Sequence, residues 1–460
     1  MHTHVPRAAA FAFAPAFAPD SALALALALA INFALTGAPA LADTPGRAAA
    51  APLSFDAALA LAEQHSAAAQ AARAGLTSAR EMAGAAGQFA DPVLRLGLEN
   101  LPVAGADRYS SARDPQTMKR VGISQEWLSG DKRAARRAAA ERTLARAAMQ
   151  VRIATADARL QAALAYADAG YVAEALQLTV QTERSLRDEQ AAARARLAGG
   201  SGGSADVLAL SVALGLLEDE ATGLRQQQRA AALALQRWLG PRADASVVAE
   251  VDGAARWSAV SAVSAVPALP EPTLAAYVQG HPAVRALQGD ADIARQAVAV
   301  AASERAPNWM WEVSLGQRTA YPDMVSVGVS IPLPVARGQR QDRETAARQA
   351  RAEQADAERA EAERAATAEY LTLRSDAAGL QARTAQLGLG VLLPARQRSA
   401  AALAAYSANQ APLASVFDAR RAEIEAQRKL LGLQAELTRK RIQLALKPLD
   451  GATVLIGSAP

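Results

Sequence analysis

The sequence predicts a mainly α-helical protein with a small β part, built from one structural unit written twice. Three observations predict it. Hydrophobic residues make up 51% of the 460, yet most are alanine and aromatics are only 4%, a composition that packs helices closely instead of filling a thick globular core. Charged runs without proline extend for sixty residues and more, as long helices and coiled coils do. A strand-like phrase recurs, "VGISQEWLSG" from Val121 and "VGVSIPLPVARG" from Val327, each followed by one of those runs.

The opening of the chain reads as an address. Arg7 and two histidines precede the apolar run "SALALALALAINFAL" at Ser21–Leu35, and "ALA" at 40–42 fits a small-residue cleavage site. An apolar run of about 15 residues is shorter than the roughly 20 a spanning helix needs, so residues 1–42 are expected to be a signal peptide. No later run is long enough for a spanning helix, which leaves strands as the means of crossing a membrane.

Residues 43–257 and 274–448 are expected to be the two repeats, joined by a linker at 258–273 and followed by a tail at 449–460. "ALALAEQHSAAAQAARAGLTSAREMAGAAGQFADP" from Ala58 matches "LAAYVQGHPAVRALQGDADIARQAVAVAASERAPN" from Leu274, with His65 opposite His281. Each is expected to be a helix of about 30 residues. Two strand hairpins follow, at 93–128 and 309–334. In "VLRLGLE" Leu94, Leu96 and Leu98 share one face; in "WMWEVSLG" Trp309, Trp311, Val313 and Leu315 do; in "VSVGVSIPL" Val325, Val327, Val329, Ile331 and Leu333 alternate with Ser, Gly and Pro. Apolar residues on one side and small or polar ones on the other are what a strand between lipid and lumen requires. A half-buried strand of a soluble sheet shares that period, but no other β-rich sequence is present to cover it.

Four strands cannot close a barrel in lipid, so several chains must share one. Two chains would supply eight strands and three would supply twelve. The long helices are expected at 131–198 and 205–239 in the first repeat, and at 339–407 and 414–446 in the second, with a kink at Pro394. Each pair turns at a tip. Gly200 and Asn409 are spaced as left-handed helix stops, and Asp206 and Ser415 as caps of the returning helices.

The chain has no cysteine, so disulfides, thiolate sites and a lipid anchor through an N-terminal cysteine are excluded. A net charge of +4 among 49 basic and 45 acidic residues is a mixed surface that gives no reason to expect nucleic acid. His65 and His281 read as helix-start contacts, and no catalytic, phosphate-binding or metal motif is present. Neither an enzyme nor a cofactor is expected.

The duplicated order of helix, two strands, long helix and return helix resembles the outer-membrane factor (TolC) family of Gram-negative export pumps over essentially all of the mature chain. The tips carry the resemblance too, in Gly200 with Asp206-Val207-Leu208 and in Tyr406, Asn409 and Ser415-Val416. "DPVLRLGLENLP" followed by "DPQTMKRVGISQEWLSGDKRAARR" is most similar to the heavy-metal efflux branch. The resemblance implies a homotrimer with a shared 12-stranded transmembrane β-barrel continued by a periplasmic coiled-coil helical barrel. It implies an outer-membrane location, with an RND-type inner-membrane pump and a periplasmic adaptor protein as partners, and heavy-metal cations as cargo. Drug or protein export is the alternative, and a poreless periplasmic adaptor the less favoured one. Gly130, Lys132 and Arg133, with Arg337, Gly338 and Arg340, would mark the passage from barrel to helix, the glycines at the bend and the basic groups near phospholipid head groups. Asp206, Tyr406 and Asp418 match the family's closing contacts at the tip, whereas Ala411 and Ser415 replace a basic and an acidic member.

Overall fold

The computed structural model describes residues 53–200, 202–240, 266–408 and 410–449. The signal segment, the first half of the linker, nearly all of the tail and Asn409 lie outside the described residues.

Where the sequence reads one helix of about 30 residues at the start of each repeat, the structure has two. In the first repeat these are α1 (Phe55–His65) and α2 (Ala67–Ala85). Ser66 between them leaves helical geometry at ψ 112° and its hydroxyl accepts the Ala69 N–H at 3.2 Å, so it stops one helix and caps the next. The second repeat has α5 (Leu274–Gly280) and α6 (Pro282–Ser303), labelled in chain order after α3 and α4 below. Here Pro282 enforces the break, lacking the N–H that a continuous helix would use. His281 therefore occupies the place of Ser66, one residue away from its sequence match with His65.

Four strands form one antiparallel sheet in chain order: β1 (Val93–Glu99), β2 (Met118–Trp127), β3 (Trp309–Arg318) and β4 (Met324–Ser330). β4 ends before the expected Leu333 because Pro332 and Pro334 cannot donate to a ladder. The two hairpins meet where β2 pairs with β3, and β1 and β4 are the open edges.

The long helices are α3 (Gly130–Ala198), 69 residues and so roughly 100 Å, and α4 (Ser204–Leu239). In the second repeat a 3-10 turn at Arg337–Gln339 leads into α7 (Gln341–Leu387), then a π turn at Gly388–Leu392, α8 (Leu393–Ser407) and α9 (Leu413–Leu446). The expected kink at Pro394 takes the form of that π turn. Pro394 offers no N–H to the Gly390 carbonyl four residues back, and the helix widens there.

Both repeats close their cores in the same way. Phe55 and Leu59 of α1 pack with Tyr166 of α3, Leu235 of α4 and Ile442 of α9, while Tyr277 of α5 packs with Tyr370 and Leu373 of α7 and Leu444 of α9. In each, a tyrosine of the long helix donates its hydroxyl to the backbone ahead of the first helix, Tyr166 to Leu53 and Tyr370 to Pro272, both at 3.0 Å. Those bonds satisfy polar tips that would otherwise be costly to bury.

Candidate functional site

The register turns the alternation of single strands into rows across the sheet. Leu94, Ile123, Val313 and Val327 lie side by side, as do Leu96, Val121, Leu315 and Val325. Val329 stands beside Trp311, and Trp127 beside Trp309. All of these side chains are exposed, Leu96 by 71% and Val327 by 74%. So large an apolar surface is far beyond what a protein leaves to water. The tryptophans gather at the helix-proximal end, where an interfacial aromatic belt belongs. β2 and β3, at ten residues each, have the length of tilted bilayer-spanning strands.

The opposite face is polar. Its rows include Arg95, Gly122, Ser314 and Ser326, and beside them Gly97, Arg120, Gly316 and Met324. Arg120 is the hub, donating to Glu99 at 2.7 Å, to the Ser314 hydroxyl at 2.8 Å and to Glu312 at 3.1 Å; Arg95 reaches the other Glu312 oxygen at 3.3 Å. Gly122 leaves room for this network, since a Cβ there would come within 2.8 Å of Ser314 Cβ. Four charges tied across three strands fix the register from the polar side, as the valine and leucine rows do from the apolar one.

At the barrel-to-helix passage Ser129 caps α3, accepting the Lys132 N–H at 3.3 Å, and Gly130 begins the helix. Lys132 is not at a head-group surface. Only 2% exposed, its ammonium donates to Glu304 at 2.9 Å and to Asn308, and Asn308 in turn donates to Glu126 at 2.7 Å. Arg136 takes the second Glu304 oxygen at 2.8 Å. Burial pushes the Glu304 carboxyl up, but the hydrogen bonds from Lys132 and Arg136 outweigh it and hold the group below the usual carboxylate range. Arg133 stacks on Phe89 with 4.3 Å between guanidinium and ring centre. Arg337, Gly338 and Arg340 are exposed around the 3-10 turn. Neither Gly130 nor Gly338 has positive φ. The bend that needs glycine is at Gly87, φ 78°, where a Cβ would approach the Arg133 carbonyl oxygen to 2.7 Å.

At the tips, Gly200 takes φ 74° and ends α3. On the other tip the Gln410 N–H bonds the Ala405 carbonyl at 2.9 Å, closing the matching turn around α8. Asp206 and Ser415 do not cap. Gly203 and Pro412 hold the cap positions without side-chain bonds, Asp206 sits three residues on in the first turn of α4, and the Ser415 hydroxyl donates to the Pro412 carbonyl at 2.7 Å. An acid in a first turn still complements the helix dipole. Tyr406 carries the Arg196 guanidinium 4.4 Å above its ring. Asp418 is exposed beside Phe417 and Arg421, on a groove of about 360 Å³ between α3, α4 and α9.

His281 is buried at the α5–α6 junction, its Nε2 3.3 Å from Glu369. Among the described residues no group of three or more His, Cys, Asp or Glu could hold a metal ion, and no helix is long and apolar enough to cross a membrane.

No family model and no curated protein matches the chain. Solved structures do. The chain is similar to CusC, described in crystal structures of its folding and transmembrane channel formation, with a TM-score of 0.70 at 13% identity over 85% of this chain and 91% of that one. It is similar to the outer membrane protein VceC of Vibrio cholerae, at 0.65 and 19% identity over 86% and 95%. The open state of the MtrE outer membrane channel of Neisseria gonorrhoeae gives 0.68 and 14% over 87% and 89%. The chain has the fold of these outer-membrane channels.

Within the channel fold two contributors escape a reading of single segments. Arg120 and Glu99 stand on different strands, and only the register shows that they meet; Arg196 supplies Tyr406 with a basic partner from its own chain although Ala411 supplies none.

Proposed function

We propose that this chain is one protomer of a homotrimeric outer-membrane channel of the outer-membrane factor family. It serves as a passive conduit for efflux in a Gram-negative bacterium. An inner-membrane pump of the RND type and a periplasmic adaptor would deliver cargo to it, heavy-metal cations in preference to drugs or proteins. The observation that carries the reading is the two-faced sheet with two open edges: apolar rows fit lipid, the Arg120 network fits a wet lumen, and unpaired edges in lipid call for further copies. The internal repeat agrees. Among the described residues α6 packs extensively against both α3 and α7, whereas its counterpart α2 packs extensively only against α3; this supports α7 of the next copy lying on the outer flank of α2 while β4 pairs with the next β1. Such a head-to-tail contact closes into a ring. A periplasmic adaptor would have no use for the apolar rows.

Native mass measurement on detergent-extracted protein, with planar-bilayer recording on the same sample, tests this. A trimer that conducts is expected; a dominant monomer that conducts ions would overturn it. At the tips, Asp206 and Asp418 from each copy give the narrow mouth a negative potential that favours cations. Replacing both by alanine is expected to shift the reversal potential in a salt gradient toward lower cation preference, and an unchanged potential would assign these residues to packing or docking.

A further inference from the structure

We infer that the turn between β4 and α7 is a binding site for an anionic glycerophospholipid of the phosphatidylglycerol class, drawn from the leaflet next to the helices. The inference rests on the lipid-facing reading of the sheet and adds a ligand to it. The two repeats treat their basic groups differently where strand passes into helix. In the first, Lys132 is taken up by Glu304 and Asn308, Arg136 by Glu304, and Arg133 by the Phe89 ring. In the second, Arg337 and Arg340 are exposed, and among the described residues neither side chain makes a hydrogen bond, an ion pair or a ring contact.

Pro332 and Pro334 end β4 early, and the chain crosses to α7 through the 3-10 turn. The crossing leaves a recess of about 370 Å³, lined by Arg305, Trp309, Leu333, Arg340 and Gln341 among others, a size that suits a small polar headgroup. Its apolar wall continues the lipid face. Leu333 keeps the parity of Val325, Val327, Val329 and Ile331 and is 78% exposed, and Trp309 belongs to the aromatic belt. Its charge is positive: Arg305 is balanced by Asp342 at 3.1 Å and Lys132 by Glu304, which leaves Arg340 without a counter-ion. Arg337 lines the adjoining recess with Asp131 of the first turn of α3. One acceptor is left over. The Gln341 side-chain oxygen is buried without a donor, an arrangement that costs stability until a donor arrives.

A phosphodiester with a glycerol headgroup meets all three features. Its phosphate accepts from the Arg340 guanidinium with Arg337 close by, its headgroup hydroxyl donates to Gln341, and its acyl chains run past Leu333 and Trp309 along the apolar rows of Trp311 and Val329. A neighbouring copy is the poorer occupant, because its α2 carries Arg73 and Arg80 against Glu81 alone and would meet Arg337 and Arg340 with like charge.

The test is native mass spectrometry of the assembled protein in detergent, titrated with dioleoylphosphatidylglycerol. The wild-type protein is expected to retain a single such lipid per chain and to hold dioleoylphosphatidylcholine less well. The R337Q/R340Q variant is expected to bind phosphatidylglycerol about tenfold more weakly, whereas R351Q/R383Q, which removes the same charge from α7 away from the recess, keeps the wild-type affinity. Equal affinity in all three proteins would overturn the site. So would displacement of the lipid by a large excess of inorganic phosphate, which would make this a site for free anions, or loss of the oligomer in R337Q/R340Q, which would give these arginines to a contact between copies. Potassium conductance of the same preparation separates the two readings: conduction with equal lipid binding removes the site and leaves the channel, and binding lost in R337Q/R340Q without any conduction upholds the site and removes the channel.

Discussion

Val327→Arg is expected to keep the protein out of the membrane, whereas Ser326→Arg, one residue earlier, leaves insertion intact. Val327 lies near the middle of β4 in the row with Val313, Ile123 and Leu94, on the face that has no polar neighbour within that row. An arginine near the midplane of the lipid face costs about 2–4 kcal/mol per strand, which is roughly a 30- to 1000-fold loss for each copy, and the copies of an oligomer compound it. Ser326 shares its row with Ser314, Gly122 and Arg95, so an arginine there enters the polar face beside a charge already present. Its effect is expected on conduction, as a shift toward anion preference. Outer-membrane fractionation and heat-modifiable migration read the first effect, bilayer recording the second. Equal behaviour of the two variants would mean that the faces are assigned the wrong way round.

This contrast was legible in the sequence because a period of two needs no tertiary context: "VSVGVS" names its faces by itself. The long helices were equally plain, since absence of proline over sixty residues is a local property. What stayed hidden depended on partners far away in the chain. Lys132, in a run of arginines and alanines, reads as a basic group near phospholipid head groups; its burial comes from Glu304, 172 residues later, and Asn308, 176 later. Arg120 stands one residue ahead of the recurring phrase at Val121, and its role depends on Glu99 and Glu312 from two other strands. The helix break at Pro282 was written locally, in a proline at a first helical position. The one at Ser66 rests on a single serine among alanines, which a repeat match aligned on histidine passes over. At the tips the returning helices begin three residues earlier than capping by Asp206 and Ser415 would require.

The Lys132 cluster joins the two repeats where the sheet gives way to the helices: Lys132 and Arg136 come from α3, Glu304 and Asn308 from the segment between α6 and β3, and Glu126 from the end of β2. Lys132→Ala is expected to destabilise this joint, because Glu304, Asn308 and Glu126 lose the cation that orients them. Removing one partner of a fully buried pair costs about 3–5 kcal/mol. Glu304 is 36% exposed and keeps Arg136, so the expected loss is smaller, about 2 kcal/mol after solvent screening. Lys132→Met, which keeps the volume of the stem, separates lost packing from lost charge. The pH dependence has a definite sign. With its carboxyl held below the usual range in the folded state, Glu304 contributes stability that is fully present above its unfolded-state value, near 4.3, and is lost as pH falls through the folded one. The wild-type protein should therefore lose stability on acidification from pH 6 to about 3 more steeply than Glu304→Gln or Lys132→Met, with all three compared by thermal unfolding of the detergent-purified protein. If Lys132→Ala melts with the wild-type protein at neutral pH, or the acid slopes of all three coincide, the joint is held by the strands and helix packing alone.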